Sequence, residues 1–228
     1  MNDRPHLNMP GSEYSLREEI AHAITHGIGI LLSIAGLAIL VAFAAIYGDA
    51  WHVVSCSIYG ATLIVLYTAS TLYHGIPSPR AKPLLQRLDH AAIFLLIAGT
   101  YTPFTLVSLR GSWGWTLFGL VWGIAIVGMV LELAVRRPIK GLSMGLYLGM
   151  GWLIVVAIKP MLAQVAPGGL VLLLAGGLAY SLGVIFYVRK QIAYHHAIWH
   201  LFVLAGSILH FMSVLFYVIP SAQPPVAG

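Results

Sequence analysis

Two histidines four residues apart, His196 and His200, open the last apolar run of the chain. Helical residues at i and i+4 stack on one face, one turn apart, so a single helix can present two imidazoles to one metal. Ser70 and His74 repeat that separation at the end of the second apolar run, which puts a hydroxyl on the same face as a third histidine. Three imidazoles plus a water suit Zn2+ and leave one position open for chemistry. His74, His196 and His200 are therefore the expected ligands and Zn2+ the expected cofactor, provided that the second and seventh runs meet. Other divalent cations also accept imidazole. Asp89, at the start of the third run, is placed to hydrogen-bond a metal-bound water or a ligand ring. With Ser70 it makes the candidate catalytic pair. Glu19, His22 and His26 lie at the same end of the first run.

Not every polar residue belongs to this set. A lone histidine at a membrane edge is often only hydrogen-bonded to a carbonyl. His195 points about 100° away from His196, and His90 stands in the same relation to Asp89. His52 lies at the opposite end of the second run, and His210 sits roughly 15 Å deeper than His200. Glu132 is expected to pair with Arg136 one turn on. Ionisable groups at membrane depth are costly, so their gathering on four runs at one depth calls for a purpose.

The elements that must carry these residues are apolar throughout. Of 228 residues, 59% are hydrophobic and 8% charged, with mean hydropathy +0.89. A water-soluble domain needs roughly 25% charge to cover its surface. Apolar runs of about 20 residues, each enough to cross a bilayer as a helix, fall near 24–47, 52–74, 89–109, 113–134, 142–161, 168–188 and 197–219. The fold class is thus all-α, a polytopic integral membrane bundle of seven transmembrane helices. Ten of the 12 Lys and Arg residues lie in the tail and in the second, fourth and sixth connections, against Arg110 and Lys159 on the other side. That bias places the amino terminus in the cytoplasm and the carboxyl terminus outside. Because the basic residues sit in short connections, lipid rather than nucleic acid is the expected partner.

The organisation expected is a cytoplasmic segment over 1–20, a seven-helix domain over 21–219 and a disordered tail over 220–228. The first 20 residues are polar and predict no cleavable signal. Cys56 is the only cysteine, which excludes an internal disulfide. Gly141, Gly145 and Gly149, and likewise Gly119 and Gly123, form small-residue stripes read as helix-packing surfaces, compatible with a monomer or a dimer. Pro103 is expected to kink the third helix about mid-membrane.

The segments EEIAHAITHGIG (18–29), STLYH (70–74), RLDHAAIFLLIAGTYTPF (87–104), MGWL (150–153), YSLGVIFY (180–187) and HHAIWHLFVLAGSILHF (195–211) resemble the hemolysin III family. These are bacterial relatives of the progestin and adipoQ receptors, within a group that includes alkaline ceramidases. The similarity runs essentially end to end and is nearest to the bacterial membrane-homeostasis members. It implies a seven-helix bundle of the bacterial inner membrane with zinc near the cytoplasmic face. The family's metal histidines fall on His74, His196 and His200, its serine and aspartate on Ser70 and Asp89, and its acidic motif on Glu19 and His26 as supporting groups. His22 stands where the family pattern commonly has asparagine and carries no expected ligand role. The implied activity is metal-dependent hydrolysis of a lipid amide or ester. The alternatives are a non-catalytic regulator of membrane homeostasis with a structural zinc site, and the cytolysis that the family name suggests.

Overall fold

The computed structural model describes residues 13–135 and 140–221, so the expectation of a disordered tail falls largely outside the described residues. Seven helices are long and apolar enough to cross a membrane. In chain order the elements are α1 (Leu16–Tyr47), α2 (Ala50–Gly75), α3 (Lys82–Pro103), α4 (Ser112–Ala134), α5 (Lys140–Trp152), the short α6 (Ile158–Gln164), α7 (Pro167–Val188) and α8 (His195–Ser213). A 3-10 stretch, Leu153–Ala157, joins α5 to α6 to make the fifth span. The chain forms a seven-span membrane bundle.

Two helices begin about two turns earlier than hydropathy predicts. Ser15 starts α1 through a reciprocal cap: its hydroxyl oxygen accepts from Glu18 N–H, and the Glu18 carboxylate accepts from Ser15 N–H at 3.0 Å. This is the S-x-x-E signature, worth about 1 kcal/mol. α3 begins at Lys82 with Pro83 in its first turn, where a missing N–H costs nothing. Asp89 is consequently two turns inside α3 rather than at its opening. At the opposite end of the bundle, Asp49 caps α2 by accepting from Trp51 and His52 N–H groups. His52 closes that cap, and Arg110 lies over the Trp51 ring.

α1 packs on α2, α2 on α3, α3 on α4 and α7 on α8, and α8 closes back onto α1. α3 is central: 72% of its most apolar stretch is buried, against 11% for the fifth span. The buried stripe of α1 runs Glu19, His22, His26, Gly29, Ser33, Gly36, Leu40 and Ala44, while Ile24, Ile28, Leu31 and Ile34 face outward. Lipid inverts the usual pattern, since the polar and small residues must turn inward.

Two packing expectations are corrected. A Cβ built at Gly119, Gly123, Gly141, Gly145 or Gly149 meets nothing within 4 Å, so among the described residues no other helix packs closely on these stripes. The close approaches occur elsewhere, with Gly99 against Thr62 and Gly128 against Phe94. Pro103 is followed by a π-helical stretch, Phe104–Ser108, at the end of the third span rather than at its middle. A proline frees a carbonyl one turn back, and a π-bulge is one way a helix absorbs that.

Candidate metal centre

Three helices deliver the donors at one end of the bundle. His74 is the penultimate residue of α2, and His196 and His200 occupy the first two turns of α8. α1 supplies Glu19, His22 and His26 from its buried stripe. The entry of α8 is fixed by Tyr194, held in the left-handed region at φ 57°. A non-glycine residue there costs about 1 kcal/mol or more. Its N–H donates to Glu18 Oε1 at 3.4 Å, tying the start of α8 to that of α1.

His74, His196 and His200 each offer a ring nitrogen within 4.8 Å of the others, and all three are buried. His74 donates from Nδ1 to Glu19 Oε2 at 2.6 Å, which leaves Nε2 without a protein partner. His200 Nδ1 reaches the His22 carbonyl at 3.3 Å and Thr25 Oγ1 at 3.2 Å, so Nε2 is its remaining donor. Neither nitrogen of His196 has a hydrogen-bond partner. Buried polar atoms left unpaired cost about 1–3 kcal/mol each. His74 and His196 leave such nitrogens beside the ring of His200, and three imidazoles this close fit a cation with a preference for nitrogen. The buried cluster could hold a metal ion.

Behind the triad is a charged support. Glu19, fully buried, also accepts from Lys82 Nζ at 2.8 Å, and the same ammonium donates to the Tyr73 carbonyl at 2.6 Å. A carboxylate on the remote nitrogen of a ligand histidine fixes its tautomer and raises its basicity. His26 stacks on His200, with ring centroids 3.5 Å apart and planes 11° apart. The sequence expectation of a supporting group corresponds in the structure to this stacking on a candidate ligand ring. Tyr14 packs edge-on to His22 at 4.8 Å and lies 5.2 Å from His196, closing the end of the cluster. Burial raises its phenol far above the ordinary range and keeps it neutral.

The Ser70 hydroxyl lies beside the buried Asp89 carboxyl, with His74 and His90 close by. Asp89, Ser70, His26, His196 and His200 share the wall of a cavity of about 620 Å³. From there it runs between α3, the fifth span, α7 and α8, past Leu96, Phe104, Ile154, Met161, Leu173 and Val203. The remaining histidines take separate partners. His195 donates to the Phe186 carbonyl at 3.1 Å, and His210 to that of Leu173 at 3.0 Å. His90 faces Glu132 at 3.8 Å, and Ser143 Oγ donates to the same carboxylate. Arg136, the partner expected for Glu132, lies outside the described residues.

The sequence reading missed three members of the site. Lys82 looks like a loop cation of the kind that sets topology, yet its ammonium is buried. The Pro83 that follows it was a usable sign of a helix start. His22 looks like a spare histidine, although it shares the Glu19–His26 stripe. Tyr14 precedes the first helix and carried no signal.

A family model described as Haemolysin-III related matches residues 14–211. The chain is 50% identical over 204 residues to the hemolysin-3 homolog of Bacillus subtilis (strain 168), covering 90% of this chain and 96% of that one. It is 51% identical over 209 residues to hemolysin-3 of Bacillus cereus, covering 91% and 95%. Similarity extends to the monocyte to macrophage differentiation factor of Homo sapiens, 28% identical over 206 residues that cover 88% and 84%.

Proposed function

From the premise that this chain belongs to the haemolysin-III related family, we propose that it is a zinc-dependent hydrolase of lipid amides or esters working inside the membrane. One observation carries the proposal: His196 and His200 of the buried triad line an apolar cavity that also presents Asp89 and Ser70. Its volume of about 620 Å³ is that of a small-molecule site, roughly 300–1,000 Å³. Each methylene of an acyl chain moved into such a cavity from water contributes about 0.8 kcal/mol, but nothing comparable when it comes from lipid. Recognition therefore falls to the polar end.

Zinc held by the three imidazoles would supply a water of lowered pKa and polarise a carbonyl. Asp89 takes the proton from the attacking water and returns it to the leaving amine or alcohol. Ser70 donates a hydrogen bond to the developing oxyanion. Glu19, balanced by Lys82, holds His74 in the tautomer that offers Nε2. The apolar walls exclude bulk water from the reacting carbonyl. The bias of Lys and Arg, ten against two, supports an amino terminus and a metal site at the cytoplasmic face of a bacterial inner membrane.

A second reading is a non-catalytic regulator of membrane homeostasis whose zinc clamps α1, α2 and α8. The donors crowded on α1, with Glu19, His22 and His74 forming a second candidate set, favour it. Cytolysis, the activity in the names of the Bacillus relatives, is a third reading; the lipid-facing Ile and Leu of α1 favour residence in a bilayer over passage through water. Turnover of a panel of acyl amides and esters by zinc-loaded protein in lipid nanodiscs tests the first reading. Asp89→Ala is expected to keep its zinc and lose about 10²–10⁴-fold in rate. Full biological effect from a zinc-loaded Asp89→Ala protein would support the clamp instead.

A further inference from the structure

Resting on the metal-dependent reading above, we propose that His22 is an exchangeable fourth ligand, closing the site in place of the water when no lipid is bound. The rings of His22, His74, His196 and His200 form a cage. His22 lies 4.6 Å from His74, 4.8 Å from His196 and 5.4 Å from His200, centroid to centroid. The other three separations are 5.1, 5.1 and 4.6 Å. All six edges are thus near equal, as in a tetrahedron. A regular tetrahedron of ~5 Å edge has its centre about 3 Å from each corner. A zinc–nitrogen bond of about 2.0–2.1 Å plus roughly 1 Å from that nitrogen to the ring centre gives the same figure. Four imidazoles around one zinc would stand at these separations.

No hydrogen bond engages the His22 ring, which faces the Glu19 carboxylate. It is fully buried, and neither ring nitrogen has a hydrogen-bond partner. Its Nδ1 stands 3.8 Å from Glu19 Oε2, beyond hydrogen-bond reach. Its tightest donor grouping is with Glu19 and His74, whereas His74, His196 and His200 already form a complete set. The ring therefore sits at one corner of the cage, turned toward the carboxylate rather than the centre. A rotation about its side-chain bonds exchanges the two positions. With His22 turned to Glu19, the fourth position is free for water, as hydrolysis needs. With His22 turned inward, the site holds four nitrogens and no water, as in closed structural zinc sites. The exchange swaps one neutral ligand for another and requires no change of charge. A site of this kind stays inert until lipid displaces the ring, so one set of residues serves both clamp and hydrolase.

X-ray absorption of the zinc-loaded protein in detergent, with Co2+ substitution for optical spectra, tests this on the wild type and His22→Asn. The expected wild-type shell is four imidazole nitrogens, with a Co2+ spectrum that does not change on adding acetohydroxamate. His22→Asn is expected to keep about one metal per chain, lose one imidazole, gain one oxygen and respond to acetohydroxamate. A wild-type shell of three imidazoles and one oxygen, open to acetohydroxamate, overturns the proposal whether or not the variant folds. Protein that binds no metal at all refutes the metal reading itself, a separately recognisable result.

Discussion

Lys82→Met separates the electrostatic support of the site from the imidazoles that would bind the cation. The ammonium stands 2.8 Å from Glu19 Oε1, with both side chains shielded from solvent. At an effective dielectric of about 20, charges so placed attract by roughly 6 kcal/mol, much of it offset by the cost of desolvating them. Removing one member of a buried pair leaves the other uncompensated, at a typical cost of about 3–5 kcal/mol. That loss should appear as a lower melting temperature in detergent, with or without metal. A second loss should appear in metal affinity, because Glu19 polarises His74 through the 2.6 Å bond at Nδ1. Such supporting groups change metal affinity by about 10–100-fold, equivalent to about 1.4–2.7 kcal/mol.

Competition against a chromophoric chelator gives the zinc dissociation constant for wild type, Lys82→Met, Glu19→Gln and the double variant. If the lysine acts through Glu19, the double variant binds zinc no more weakly than Glu19→Gln alone, a non-additivity expected of residues in contact. An unchanged dissociation constant in Lys82→Met, or losses that simply add, would refute the relay from Lys82 through Glu19 to His74.

His200→Ala is expected to lower zinc from about one per chain to almost none by elemental analysis; full retention would remove His200 from the ligand set. Gly99→Ala drives a methyl group into Thr62 and should cost about 1–3 kcal/mol of stability, read as a lower melting temperature. Gly123→Ala meets open space, so its melting temperature should hold or rise by helix propensity. Tyr101→Phe removes the hydroxyl that accepts from Ile154 N–H at 2.9 Å and reaches the Met150 carbonyl at 2.7 Å. Faster amide exchange at Ile154, with a loss of about 1–3 kcal/mol, is the expected result.

Much of the fold was legible because lipid leaves one signal clear. Seven long apolar runs had to be helices, and the structure moves their ends without changing their number. The ends moved where polar residues belong to a helix: Arg17, Glu18 and Glu19 extend α1, and Arg87 lies within α3. Hydropathy discounts such residues, whereas the structure starts α1 at the Ser15 cap. The proximity of His74 to His196 and His200 could be hoped for but not read. It depends on α8 closing against α1 and on Tyr59 and Tyr67 of α2 reaching Ser207 of α8, tertiary facts that helical spacing does not contain. The glycine stripes show the opposite limit. A run of small residues permits a close approach but does not say whether a neighbour arrives, and at Gly141, Gly145 and Gly149 none of the described residues does.

A broken helix forms one wall of the cavity. Backbone can leave the α-helical pattern at membrane depth only where something else satisfies it. In the fifth span that service comes from Tyr101 of α3, whose hydroxyl bonds the carbonyls of Met150 and Gly151 and the N–H of Ile154. The 3-10 stretch is thereby anchored to the most buried span, while Val156 of the same stretch faces outward. The other side of the cavity is formed by α2 and α3, packed on each other, and by α8, packed on α7 and α1; these carry Ser70, Asp89, His196 and His200. On the reading proposed above, a cluster that binds a cation needs donors fixed to within a fraction of an ångström. Among the described residues every candidate donor lies on α1, α2, α3 or α8, and none on the thinly buried fifth span.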